Sequence, residues 1–137
     1  MGRAMALGLS RAGFRVVVTA ARQRDEIEAV AAAAPERIHP VVADVSDEPT
    51  CAALVRETEV RFGSVDILVN NAGRGMRYVS EEFLTTPPRF WEADVSAWRM
   101  IIDTNVNGPF YMARAAAPGM IARGWGRIVN VSMNHET

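Results

Sequence analysis

The feature that most constrains the fold is a set of short apolar runs, rich in β-branched residues, alternating with longer segments of helical pattern. We predict four strands, over residues 14–20, 37–43, 65–69 and 127–132. Continuous apolar runs of this length are typical of parallel strands buried on both faces. Their alternation with helices predicts an α/β fold with a doubly wound, Rossmann-type parallel sheet and right-handed crossovers.

Helices are predicted over residues 2–12, 23–34, 47–62 and 95–121. Gly13 and Gly63 stand where a left-handed residue ends the first and third helices, and Pro35 stops the second. Ser46 is the expected N-cap of the third helix.

The composition excludes several classes of function. With 15 basic and 16 acidic residues in 137, the net charge of −1 gives no reason to expect nucleic acid or a membrane surface as partner. Cys51 is the single cysteine, so an internal disulfide is impossible, and a cytoplasmic protein is expected. His39 and His135 lie far apart, without a zinc-binding pattern, so we predict no metal site.

Polar and small residues follow the second and third strands, at the edge where parallel sheets bind ligands. Asn70-Asn71-Ala72-Gly73 suits a close approach of backbone to a flat ligand, although Asn and Gly also form ordinary turns. Asp44 ends the second strand, where its carboxylate could accept a hydrogen bond from an exocyclic amine. The alternative is that Asp44 only caps the next helix.

Asn105 is an unusual residue within the last predicted helix. Pro109, four residues on, has no N–H, so the carbonyl of Asn105 has no α-helical partner. Gly108 softens the same turn. This pattern indicates either a water-binding post beside Asn105 or a simple kink.

Four segments in this order resemble the short-chain dehydrogenase/reductase family: residues 43–45 (ADV), 66–73 (DILVNNAG), 104–110 (TNVNGPF) and 126–132 (GRIVNVS). The resemblance covers essentially the whole chain. It implies an NAD(P)-dependent oxidoreductase that transfers a hydride between cofactor and an alcohol or ketone.

The resemblance also implies a set of site residues. The cofactor-binding positions would be Gly2, as the last glycine of a phosphate loop, Arg22, Asp44, Val45, Asn71, Ala72 and Gly73. Asn105 matches the family's catalytic Asn, and Asn70 would brace the sheet. Ser132 is the candidate catalytic Ser, one place earlier than usual and followed by Met133, with Asn134 as an alternative.

Cofactor choice depends on the end of the strand at 14–20. Members that use NAD usually carry an acid there, whereas this chain has Ala20-Ala21-Arg22. Arg22 could pair with a 2′-phosphate, so NADP(H) is favoured over NAD(H). The alternative is that Arg22 is simply solvated at the start of a helix.

Two departures from the family predict a partial domain over residues 1–137. The family's first strand has no counterpart, so the strands at 14–20 and 65–69 should face a gap, and we hypothesise that Met1 is an internal methionine. The Tyr-x-x-x-Lys pair has no counterpart either, since neither Tyr78 nor Tyr111 precedes a Lys and all 15 basic residues are Arg.

From these departures we expect a truncated, inactive fragment of a reductase. The parent protein would act on a small molecule and form a dimer or tetramer. The alternative is a non-catalytic nucleotide-binding or partner-binding remnant of the same fold. A flavodoxin-like or receiver-type domain is remote, because the sequence has neither an acidic cluster nor a phosphate loop after its first strand.

Overall fold

A computed structural model describes residues 1–132, in which α-helices and parallel strands alternate in the predicted order. The elements are α1 (Gly2–Arg11), β1 (Val16–Ala20), α2 (Arg24–Ala31), β2 (Ile38–Val42), α3 (Glu48–Phe62), β3 (Ile67–Asn70), α4 (Val95–Ile102), α5 (Gly108–Ala122) and β4 (Arg127–Asn130). Residues 74–93 are irregular, as predicted, apart from 3₁₀ turns at Met76–Tyr78 and Phe90–Glu92. The strand predicted over 127–132 is two residues shorter than expected.

The two glycines predicted to end helices adopt positive φ, +96° at Gly13 and +89° at Gly63. The second helix was predicted too long, because after Ala31 the chain tightens into i→i−3 hydrogen bonds, with Ala34 N–H donating to the Ala31 carbonyl. The N-cap prediction was also wrong. Asp47 caps α3, its carboxylate accepting from the Thr50 N–H at 3.0 Å.

The strands form two separate parallel pairs. β1 pairs with β2 and β3 pairs with β4, each in continuous register. The unpaired edges of β1 and β3 border one cleft of about 730 Å³, lined also by residues of α1, α3 and α5. The gap predicted between residues 14–20 and 65–69 is therefore present in the fold.

The cleft also explains where the burial prediction failed. All five residues of β1 are only half-buried, and in β3 Leu68 alone is buried. Every residue of β4 is exposed. Water can therefore reach backbone groups that would each cost about 1–3 kcal/mol if buried without a partner.

Side chains of β1 alternate between two hydrophobic clusters. Val16 and Val18 pack against a cluster built from α1, α2 and β2, which includes Ala6, Val30 and Ile38. Val17 packs against a second cluster contributed mainly by α3 and α5. Its buried members are Ala43, Cys51, Leu54, Val55, Leu68, Met112, Ala116 and Met120. Helices thus cover both faces of β1, as in a doubly wound layer.

The helix predicted over 95–121 is not continuous. A π turn, Asp103–Asn107, separates α4 from α5, and the Gly108 N–H donates to the carbonyl of Asp103, five residues back. The missing N–H of Pro109 accounts for a break at this point. Gly108 is needed for packing as well, because a Cβ there would lie 3.1 Å from the Val45 carbonyl oxygen.

Candidate functional site

The carboxyl ends of β1, β2 and β3 bring together most of the residues singled out in the sequence. Arg22 follows β1, Asp44 follows β2 and Asn71 follows β3 directly. The start of α1 and the π turn carrying Asn105 lie beside these loops, as the contacts described next establish. The fold therefore assembles a site from segments that are distant in sequence.

Gly2 and Asn71 are in direct contact. A Cβ built on Gly2 would lie 2.9 Å from Nδ2 of Asn71, closer than such atoms approach in real structures. A glycine at this position leaves room for the Asn71 amide against the first turn of α1. The N-terminal turn of a helix, with its free N–H groups, is thereby placed next to that loop.

Asp44 does not cap a helix, because Asp47 fills that position. Its Oδ1 instead accepts hydrogen bonds from the Ser46 backbone N–H at 3.0 Å and from the Ser46 hydroxyl at 2.7 Å. Its Oδ2 lies 3.7 Å from Nη2 of Arg74. The Asp44 side chain remains 38% exposed, so the carboxylate is partly accessible to a ligand.

These contacts lower the pKa of Asp44. The Ser46 N–H has the largest effect, and partial burial opposes it by raising the pKa. The Ser46 hydroxyl and the positive charges of Arg74 and Arg22 lower the pKa further. Asp44 is therefore an anion at neutral pH, and it interacts electrostatically with the positive charge of Arg22.

The side-chain amide of Asn105 is bound to the backbone of Arg74. Oδ1 accepts from the Arg74 N–H at 2.7 Å, and Nδ2 donates to the Arg74 carbonyl at 2.9 Å. Gly73 lies alongside, with its Cβ position 3.6 Å from Oδ1 of Asn105. The side chain is thus bound to this loop, and the backbone carbonyl of Asn105 lacks an α-helical partner, because that partner would be the missing N–H of Pro109.

Asn70 bridges β3 and β4, its Nδ2 donating to Oδ1 of Asn130 at 2.8 Å, in agreement with the predicted bracing role. Ala72 and Val45 line the cleft between β1 and β3. Ser132 is exposed two residues beyond the end of β4. Asn134, the alternative to Ser132, lies outside the described residues.

Arg74 was missed in the sequence analysis, although it directly follows the Asn-Asn-Ala-Gly segment. Its side chain is only 13% exposed, and its guanidinium contacts Thr104, Met100 and Asp44. The position of Arg74 could have indicated its role. An arginine side chain carries five N–H donors, and between Gly73 and Gly75 it has few neighbouring groups to accept them.

Three further observations limit the functions of the described residues. Burial, helped by the charges of Asp47, Asp44 and Glu48, raises the pKa of Cys51 to about 11, so this thiol is not a reactive nucleophile. Within residues 1–132, no group of three His, Cys, Asp or Glu side chains is placed to hold a metal ion. No helix in the same range is both long and apolar enough to cross a bilayer.

Comparison with known proteins identifies the family. The family model described as short chain dehydrogenase matches residues 1–136. The chain belongs to this family. It is therefore a Rossmann-like α/β protein of an oxidoreductase family whose members bind NAD(P), as the resemblance implied.

Three relatives illustrate the match. A Streptomyces violaceoruber protein named as a ketoacyl reductase of the granaticin polyketide synthase is 36% identical, over 96% of this chain and 50% of its own length. D-beta-hydroxybutyrate dehydrogenase of Cupriavidus necator is 34% identical, over 98% of this chain and 49% of its own length. A metagenomic short-chain oxidoreductase, solved in complex with NADP, has a TM-score of 0.81 and 29% identity, over 99% of this chain and 58% of its own. The chain thus spans about half the length of the curated relatives it matches.

Proposed function

We propose that the protein to which this chain contributes transfers a hydride between NADP(H) and an alcohol or ketone. The observation that carries the proposal is the assembly of Gly2, Asn71, Gly73 and Asn105 beside Asp44 at one edge of the strands. The cofactor supplies the hydride chemistry, and the protein supplies position and proton transfer. The names of the relatives, a ketoacyl reductase and a hydroxybutyrate dehydrogenase, favour a substrate with oxygen at a secondary carbon.

The residues present fit a dinucleotide. Asp44 and Val45 would contact the adenine ring, with the partly exposed carboxylate of Asp44 accepting from its amine. Asn71, Ala72 and Gly73 would face the middle of the cofactor, where the glycine gives the backbone room to approach. Gly2 at the start of α1 would meet the pyrophosphate.

On the catalytic side, Asn105 would act through its backbone carbonyl by holding a water in the proton relay. Its side chain would keep the loop after β3 in place. Ser132 would orient the substrate oxygen. Residues 1–137 contain no Tyr-x-x-x-Lys pair, so we expect no turnover from this chain alone.

The preference for NADP(H) rests on Arg22. It is exposed between β1 and α2, with no acidic residue at the end of β1 to bind a ribose hydroxyl. We expect Arg22→Ala to weaken NADPH binding several-fold and to leave NADH binding unchanged. Arg24→Ala is the matched control, because Arg24 pairs with Glu28 on its own helix. Tighter binding of NADH than NADPH by the unaltered chain would contradict the preference.

We propose a homodimer or homotetramer for the parent protein. Support comes from α4, α5 and the turn between them, where Val95, Trp98, Val106, Phe110 and Ile121 are exposed. Exposed apolar side chains on neighbouring helical segments favour a protein interface. Sedimentation velocity of the chain and of Trp98→Glu tests this. Identical monomeric sedimentation of both would contradict it.

A non-catalytic nucleotide-binding remnant remains the second candidate, favoured by the absence of lysine from all 137 residues. Reading the DNA on both sides of the reading frame separates the two. An in-frame TGxxxGxG strand upstream and Tyr-x-x-x-Lys downstream would support the reductase. Stop codons close on both sides, or NADPH-dependent carbonyl reduction by the 137 residues alone, would contradict the proposal of an inactive piece of a reductase.

A further inference from the structure

The side chain of Arg74 connects three parts of the site that are otherwise separate. Nε donates to the hydroxyl of Thr104 at 2.9 Å, and Nη1 lies 2.9 Å from the sulfur of Met100. Nη2 lies 3.7 Å from Oδ2 of Asp44. The three nitrogens of one guanidinium thus contact the π turn, α4 and the loop after β2.

The backbone of the same residue holds Asn105. Its N–H and carbonyl form the two hydrogen bonds with the Asn105 amide, at 2.7 and 2.9 Å. The Arg74 guanidinium carbon also lies 5.2 Å from the centre of the Tyr78 ring, in a cation–π contact. Thr104 is buried, with 6% exposure, so its partner on Arg74 is held in one place.

We propose that Arg74 is a positioning residue that fixes the distance between Asp44 and Asn105. These two residues sit at the adenine and reactive ends of the proposed cofactor site, so the inference rests on the proposed function. A guanidinium is suited to this because its donors form a rigid, planar fork, whereas a lysine presents one compact charge. Without the fork, the loop after β2 and the π turn would move independently.

The first test measures coupling, and it needs no cofactor. Hydrogen exchange of the Asn105 side-chain amide is followed by NMR in the chain and in Asp44→Asn. We expect Asp44→Asn to accelerate this exchange roughly fivefold in the otherwise unaltered chain. In a chain that already carries Arg74→Met, adding Asp44→Asn should not change the exchange rate further. If Arg74 had a purely local role, Asp44→Asn would change the exchange rate by the same factor in the unaltered chain and in Arg74→Met.

Arg74→Lys separates charge from geometry and provides a second variant if Arg74→Met fails to fold. The Ser46 N–H, which lowers the pKa of Asp44 most, is unchanged in Arg74→Lys and the positive charge is retained, so this pKa should stay below its usual value, measured by carboxyl NMR titration. The lysine cannot reach Thr104, Met100 and Asp44 together, so the Asp44–Asn105 coupling should be lost. Coupling that persists in Arg74→Lys, or in Arg74→Met, would overturn the proposal.

The second test uses NADPH binding. We expect Arg74→Met to raise the dissociation constant roughly tenfold, with Arg77→Met as control. Arg77 is exposed three residues away and makes no hydrogen bond or ion pair with any described residue. If the unaltered chain fails to bind NADPH, the cofactor site proposed for these residues fails, and the exchange experiment still decides the role of Arg74. If it binds and Arg74→Met binds equally well, only the role of Arg74 is overturned.

Discussion

A Cβ on Gly2 would lie 2.9 Å from the side-chain nitrogen of Asn71, so the observed position of the Asn71 amide is compatible only with a glycine there. Gly2→Ala must therefore push the Asn71 amide away. We expect this variant to weaken NADPH binding at least several-fold while α1 remains helical, as measured by ligand-observed NMR and circular dichroism.

Gly8→Ala is the matched control within the same helix. No atom lies within 4 Å of its Cβ position, and alanine is the better helix former by about 1 kcal/mol. This variant should be more stable and should bind NADPH as before. Equal effects of the two substitutions on binding would contradict the role assigned to Gly2.

Gly73 offers a test of backbone approach by the cofactor. Its Cβ position has only ordinary contacts, the nearest at 3.6 Å to Asn105, so Gly73→Ala should leave the unfolding free energy within about 0.5 kcal/mol. A methyl group facing the cofactor should still weaken NADPH binding. Gly75→Ala, with nothing within 4 Å, should change neither quantity. Normal NADPH affinity in Gly73→Ala would show that the cofactor does not pass over this residue.

Asp44 makes stability depend on pH in a defined direction. Because the folded state lowers its pKa from the reference value of 3.8, the carboxylate stabilises the fold above that value. This contribution is lost as the pH falls through the lowered folded pKa. The difference in unfolding free energy between the chain and Asp44→Asn should therefore be constant near pH 7 and shrink below about pH 4. Denaturant titrations across this range measure it, and a difference that grows on acidification would contradict the assigned contacts.

The open cleft between β1 and β3 should limit the cooperativity of thermal unfolding. The two strand pairs share no hydrogen bonds, so we expect a broad thermal transition with a van't Hoff enthalpy below the calorimetric one. Calorimetry and circular dichroism of the 137-residue chain test this. A sharp two-state transition would contradict our proposal that a strand is missing from the cleft.

The order of elements could be predicted from the sequence because apolar runs and glycine stops are local signals. The same holds for the ends at Gly13 and Gly63. The burial of β1 could not be predicted from the sequence, because it depends on whether a neighbouring strand fills the cleft. The cap at Asp47 was misassigned to Ser46 because either residue can cap, and only the fold commits Ser46 to Asp44.

The candidate site was predictable where a motif marks it and unpredictable where a long side chain connects segments. Asn71, Gly73 and Asn105 lie in such motifs. Arg74 does not, because its value comes from Thr104, Met100 and Asp44, which are 26 or more residues away in sequence. Periodicity carries no information about such contacts.

The most direct test of the account is a titration of the isotope-labelled chain with NADPH, followed by NMR at low temperature. We predict saturable binding with a dissociation constant of roughly 0.1–1 mM. The shift changes should be centred on Gly2, Arg22, Asp44, Val45, Asn71, Ala72 and Gly73. Absence of saturable binding, or shift changes confined to residues away from the carboxyl ends of the strands, would contradict the account.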